Sequence, residues 1–159
     1  MNEPAPSLPL IIGWREWLAL PELGIPAIKA KIDTGARTSA LHAFELETFR
    51  ENGRNKVRFL MHPLQRRTDI VKECIADILD QRPVRDSGGH LEERMVIESA
   101  IRLGGREWVA EFTLTNRDTM KFRMLLGRTA MSGGFLVDPV KSYLTGQQIK
   151  RSYVGRLKQ

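Results

Sequence analysis

The sequence predicts a single mainly β domain, a small barrel or sandwich. Three observations carry this prediction. Short runs rich in β-formers recur along the chain, Gly, Pro or Asn bounds each of them, and turn signals separate them at regular spacing, without the helical stretches that βαβ units require. At 159 residues the chain suits one domain and can bury a core without disulfides.

The elements follow in order. IIGWREWLAL (11–20), AIKAKID (27–33) and NKVRFLMH (55–62) read as strands, and Glu51-Asn52-Gly53-Arg54 reads as a hairpin turn because Asn-Gly tolerates positive φ. ERMVIESAIRL, Gly104-Gly105 and REWVAEFTLT form a second hairpin. Asn116-Arg117-Asp118 then turns the chain into KFRMLL, and FLVD gives a last short strand. In TDIVKECIADIL the apolar residues recur at helical spacing, a pattern a buried strand pair also produces, and its neighbours favour strand. One short helix is expected from Arg128 to Met131, stopped by Gly133-Gly134. The resulting layout is a disordered N-terminal segment (1–10), the β domain (11–145) and a basic, loosely ordered tail (146–159).

Composition excludes several classes. The net charge is +6, but the basic residues are spread along the chain and the few aromatics do not interleave with them as a base-stacking platform requires, so nucleic-acid binding is not expected. There is no long apolar run, and MNEPAPSLP is polar and proline-broken, so neither a membrane span nor a signal peptide is expected. A single cysteine, Cys74, cannot bridge internally, and a cytoplasmic location follows as the expectation. Cys74 itself reads as a small buried apolar residue.

The chemistry-bearing stretch is KIDTGARTSALHA (31–43), in which a strand ends in Asp33-Thr34-Gly35. Glycine lets the backbone turn sharply and bring its amide to the carboxylate, which holds Asp33 rigidly, though an Asx-type turn alone would look the same. Other chemistries lack their parts. His42, His62 and His90 are isolated, with no His-Glu-x-x-His and no Cys pair, so no metal is expected. No Gly-Lys-Ser/Thr loop cradles phosphates, and no other cofactor is indicated. Ser39 and His42 lack a Gly-x-Ser-x-Gly elbow, so Thr38 and Ser39 are expected to serve backbone groups instead.

Three parts in order give a specific resemblance. IDTGA (32–36), the SGGH turn (87–90) and MLLGR (124–128) resemble the retropepsin-like aspartic proteases, and together with LTNR they are similar to the bacterial family that carries the label ATP-dependent zinc protease, over about Gly13 to Leu144. The resemblance implies a closed β barrel, an acid-protease half-domain, with one short helix after LLGR. It implies an aspartic endopeptidase in which a water is activated between two Asp33 carboxylates. The chain offers one Asp-Thr-Gly, so the second carboxylate must come from a homodimer. Thr34 would hydrogen-bond across the two-fold axis and Gly35 would present its amide to the dyad. Gly127 would pack beneath the Asp33 loop. Ser87, Gly88, Gly89 and His90 would form a flap over an extended peptide.

One position departs from the pattern. Where retropepsins place an acid that pairs with the arginine of the Gly-Arg motif, this chain has Arg37, so Arg128 must find a carbonyl or a Glu instead. Arg37, with Arg85 or Arg94 near the flap, is suited to carboxylates, the alternative being solvated surface arginines. Family gene context adds a substrate expectation: acidic peptides such as the glutamate-rich tails of a ribosomal protein. The alternative function is a non-catalytic binding module on the same fold that recruits an acidic or ribosomal partner.

Overall fold

The computed structural model describes residues 8–85, 88–116, 121–131, 133–147 and 153. The strands among them are β1 (Leu10–Gly13), β2 (Arg15–Leu20), β3 (Ile25–Asp33), β4 (Ser39–His42), β5 (Phe44–Glu51), β6 (Arg54–Met61), β7 (Lys72–Arg85), β8 (Leu91–Leu103), β9 (Arg106–Thr115), β10 (Met124–Gly127) and β11 (Phe135–Asp138). Pairing runs β2-β3-β10-β4-β9-β8 and returns to β2 where Ala19 meets Arg102, closing a six-stranded barrel. Closure leaves the six barrel strands without an open edge of their own. From β8 the sheet continues outward through β7, β6 and β5, and β1 with β11 forms a separate parallel ribbon.

The two predicted hairpins turn on paired positive-φ residues, Asn52 (φ 53°) with Gly53 (φ 76°), and Gly104 (φ 58°) with Gly105 (φ 81°). Such pairs match the twist of the strands they join. The segment with helical spacing is strand β7, which pairs with β6 as far as Asp77 and with β8 from Ile78, shifting register between Ile78 and Asp80. Alternation holds through this stretch: Cys74, Ala76 and Ile78 pack on the core while Ile75 and Leu79 stay half exposed. The short helix is a 3-10 helix, Arg128–Met131, and a second one spans Pro21–Leu23.

Two expectations about elements are corrected. The run 11–20 is not one strand; it breaks at Trp14 into β1 and β2. The break comes from the far end of the chain: the Trp14 amide donates to the Lys141 carbonyl at 2.9 Å, and Gly13 backs so closely on that carbonyl that an added Cβ would stand 2.1 Å from its oxygen. Strand β4 and most of β5 were not anticipated. Of the Asn116-Arg117-Asp118 turn, only Asn116 is among the described residues.

The barrel interior is filled by Leu18, Ile28, Leu41, Ile97, Phe112 and Leu126 with their neighbours. Cys74 lies in this core, its Sγ 3.5 Å from the Leu23 carbonyl, and burial pushes its thiol up to about 12. A smaller cluster of Trp17, Ala27, Ile70 and Tyr153 sits apart from it. Tyr153 is buried and donates from its hydroxyl to the Ala27 carbonyl at 2.6 Å; the rest of 148–159 lies outside the described residues, as does 1–7. Among the described residues no helix is long and apolar enough to cross a membrane.

A buried carboxylate anchors the end of the domain. Glu16, 0% exposed, accepts from the Gly13 amide (2.7 Å), the Leu144 amide (2.9 Å), the Thr145 amide (3.1 Å) and the Thr145 hydroxyl (2.8 Å). An ionised carboxylate is tolerated inside a protein when donors satisfy it in this way. Alongside, the Arg15 guanidinium lies between the rings of Trp14 (4.6 Å) and Tyr143 (4.9 Å). Glu16 therefore ties the segment after β11 back to the start of the barrel.

The placement of β10 sets the rest. It lies between β3, to which it is parallel, and β4, to which it is antiparallel, although β3 and β4 are consecutive in the chain. The connection 34–38 must therefore arch over the end of β10, at Gly127. An alanine methyl there would stand 2.5 Å from the Thr38 carbonyl carbon and 2.6 Å from its oxygen.

Two stability predictions follow. Gly127→Ala forces backbone apart from backbone and lowers the unfolding free energy by about 3 kcal/mol in urea titration; a loss under about 1 kcal/mol would mean that the arch lifts freely. Glu16→Ala strands several donors and costs about 3 kcal/mol in the same assay, with Glu16→Gln losing less because its amide oxygen still accepts.

Candidate active site

Strand β3 delivers Asp33 by simple alternation. Ile28, Ala30 and Ile32 are buried, so Lys29, Lys31 and Asp33 occupy the opposite face, and Asp33 ends the strand half buried. Its Oδ1 accepts the Gly35 amide at 3.0 Å, and its carbonyl accepts the Ala36 amide at 3.2 Å. A Cβ on Gly35 would sit 3.3 Å from that same Oδ1, so glycine is what lets the amide come this close. An ionised carboxylate can accept about four hydrogen bonds. Capacity for a water or a second carboxyl group therefore remains.

The residues after β10 bolt the arch down. The Arg128 amide donates to the Ala36 carbonyl (2.8 Å), the Thr129 amide and hydroxyl donate to the Arg37 carbonyl (3.2 and 2.8 Å), and Arg128 Nη1 donates to the Thr34 carbonyl (3.4 Å). Arg128 thus bonds a carbonyl. Beneath, Ser39 Oγ accepts the Gly127 amide at 2.9 Å, and the Ser39 carbonyl accepts the Thr113 hydroxyl at 3.3 Å. Thr34, Gly35 and Arg37 are exposed. Lys31 shares the strand face of Asp33, and the exposed Arg37 and Arg128 lie on the arch and just after β10.

The residues expected to form a flap make a second group. β7 and β8 run antiparallel from Ile78↔Ile97 to Arg85↔Leu91, and the tip beyond carries exposed Gly88, Gly89 (φ 83°) and His90, with Ser87 outside the described residues. Arg85 Nη1 donates to the Gly89 carbonyl at 3.1 Å, and glycine is suited to that left-handed backbone. At the base, Arg82 pairs with Asp80 (2.9 Å) and Glu111 (3.1 Å), tying β7 to β9. Hydrogen bonding to Arg82 holds the Asp80 carboxyl below its ordinary range.

The structure brings Asp33, Thr34, Gly35, Arg37, Gly127 and Arg128 into one cluster and leaves Gly88, Gly89 and His90 at the hairpin tip. Arg94 is corrected: it is no surface arginine but 7% exposed, held by Glu92 (3.1 Å) and Thr113 (3.4 Å). Three contributors were not singled out from sequence as site residues: Thr129, Thr113 and Ser39. Ser39 had a signal, since a hydroxyl following the turn was expected to serve backbone. Its hydroxyl is buried against Gly127 and His42 lies at the other end of β4, so no Ser-His-Asp arrangement forms. Among the described residues no group of three or more His, Cys, Asp or Glu could hold a metal ion.

Residues 11–148 match the family model described as retropepsin-like aspartic endopeptidase RimB. Chains named "Probable alpha-L-glutamate ligase" are similar in sequence: that of Shewanella halifaxensis is 51% identical over 87% of this chain, and that of Desulfotalea psychrophila 44% identical over 89%. The matched part is 30% and 31% of those proteins, so this chain spans under a third of the length of these relatives. A Legionella pneumophila crystal structure titled as a protein of unknown function superimposes with a TM-score of 0.73 at 25% identity, over 86% of this chain and 98% of that one. The description that matches names an aspartic endopeptidase and not the zinc protease of the label met earlier; this chain belongs to the RimB-like retropepsin family.

Proposed function

We propose that the chain is an aspartic endopeptidase whose site is completed by a second copy. The observation that carries this is the single Asp33 carboxylate held by the Gly35 amide on an exposed arch, with Thr34 exposed beside it. One such carboxylate cannot act as acid and base at once, and a two-fold axis through the arch supplies its equal. Two carboxylates a few ångströms apart share one proton because both cannot ionise. The ionised Asp33 then takes a proton from water as the water oxygen attacks the scissile carbonyl carbon, while the protonated Asp33 gives its proton to the carbonyl oxygen. Collapse of the resulting diol breaks the C–N bond, the amine leaves with a proton from the dyad, and a carboxylic acid remains. The β7–β8 hairpin closes over the peptide, which binds as an added strand.

Two features support acidic, glutamate-rich peptides as substrates. Lys31 shares a strand face with Asp33 and the exposed Arg37 and Arg128 lie on and beside the arch, and relatives of this domain lie within longer chains named as glutamate ligases, an activity by name that a peptidase on glutamate-rich chains would oppose. A cytoplasmic setting and a ribosomal-protein tail as target fit this reading.

Asp33→Asn should abolish cleavage while leaving folding and peptide binding intact, and a pepstatin-type inhibitor should block the parent. Cleavage by Asp33→Asn at the parental rate, or no cleavage by the parent from acidic to neutral pH, would return the domain to a binding module. A glutamate-rich peptide should be cut at least about tenfold faster than a neutral peptide of equal length, a difference of about 1.4 kcal/mol, whereas equal rates would remove the substrate assignment.

A further inference from the structure

Arg94 is an unusual residue to find buried. It lies on the flap strand β8, directly opposite Arg82 on β7, so two guanidinium groups share one face of the hairpin. Like charges placed across from each other destabilise a sheet. Arg82 is offset by its own acids and stays solvated, but Arg94 is 7% exposed and its carboxylate partner among the described residues, Glu92, is 41% exposed. For stability alone an apolar side chain of similar size would serve as well or better at such a place.

Its contacts lead to the site. Arg94 Nη1 donates to Thr113 Oγ1 (3.4 Å), Thr113 Oγ1 donates to the Ser39 carbonyl (3.3 Å), and Ser39 Oγ accepts the Gly127 amide (2.9 Å). Gly127 is the residue in register with Asp33, and it lies against the Thr38 carbonyl in the arch. A continuous path therefore joins the flap strand to the loop that holds the carboxylate, and Arg94, Thr113, Ser39 and Gly127 on it are buried. The first two links are long. They have room to shorten when the hairpin moves, which is the behaviour of a contact that tightens on substrate binding.

We infer that Arg94 is a positioning residue that couples the flap strand to the Asp33 arch through Thr113 and Ser39. It rests on the peptidase reading for its consequence in catalysis, but the coupling itself is a property of the fold. When the hairpin closes on a peptide, the Arg94–Thr113 link draws Ser39 and Gly127 into the geometry that sets the height of the arch. Asp33 takes its reacting position only with the flap down.

The test measures hydrogen exchange at the Gly127 amide, together with kcat and KM, in the parent, Arg94→Gln, Thr113→Val and Thr113→Ser. Thr113→Val keeps the shape of the side chain and removes the shared hydroxyl, so it decides the matter should Arg94→Gln fail to fold. In Arg94→Gln and Thr113→Val, Gly127 exchange should quicken while the amides of Ile28 and Ala30 on β3 keep their protection. In both, kcat should fall about tenfold with KM within about twofold, and Thr113→Ser should behave as the parent. Unchanged Gly127 protection in a folded variant overturns the inference, and so does protection lost evenly along β3 and β10, since that marks a merely structural residue. A parent without Asp33-dependent cleavage defeats the peptidase reading alone, because the exchange measurement still decides the coupling.

Discussion

The insertion of β10 between β3 and β4 is the constraint from which the site follows. Consecutive strands ordinarily pair with each other; here a four-residue strand from late in the sequence occupies the position between them. The connection 34–38 then has no course except over the end of β10, and every carbonyl it turns toward Arg128 and Thr129 finds a donor there. Irregular backbone is thereby held as firmly as a strand. The demand for glycine at position 127 and the placement of Asp33 at the foot of the arch are two consequences of one topological fact.

Long-range order of this kind has a kinetic side. β3 cannot complete its pairing until residues from the last third of the chain arrive, and loop closure over that separation is slow relative to hairpin formation. The local hairpins β5–β6 and β8–β9 carry positive-φ turns that need no distant partner. An order in which hairpins form early and the arch is fixed last keeps the carboxylate unformed as a site until the barrel closes. Glu16 contributes at the same late stage, since its donors at 144 and 145 follow every strand in the sequence.

The fold class was legible in the sequence, and so were the residues that make up the candidate site; some of the elements between them were not. Asp-Thr-Gly, the apolar-Gly-Arg run and the glycine turn identify themselves by residue type, because each does something only those residues do. β4 did not, since all its residues, Ser39 to His42, are buried and a fully buried strand of this length shows no alternation. The break at Trp14 was hidden for another reason: its cause, Lys141, stands at the opposite end of the chain. Glu16 looks like the polar side of an amphipathic strand, and only its donors reveal an interior carboxylate. Arg94 likewise reads from sequence as a carboxylate binder or a solvated surface arginine, and its burial shows only once Thr113 is placed beside it.

Arg37 shifts the electrostatic balance as well as the contacts. In the retropepsin pattern an acid at this position neutralises the arginine of the Gly-Arg motif; here the Arg128 guanidinium bonds a neutral carbonyl, and Arg37 adds a second exposed cation. In the two-fold assembly proposed above, each half-site brings both arginines, so four guanidinium groups flank two carboxylates that hold one proton between them. A net positive cleft follows. Such a field raises the local concentration of anionic peptide and screens out with salt over about 10 Å at 0.1 M. Guanidinium adds bidentate geometry for side-chain carboxylates that a lysine would not supply. On that proposal Arg37 supplies charge suited to an acidic substrate, and the arch keeps its ties, because the Thr34, Ala36 and Arg37 carbonyls are held by Arg128 and Thr129 regardless.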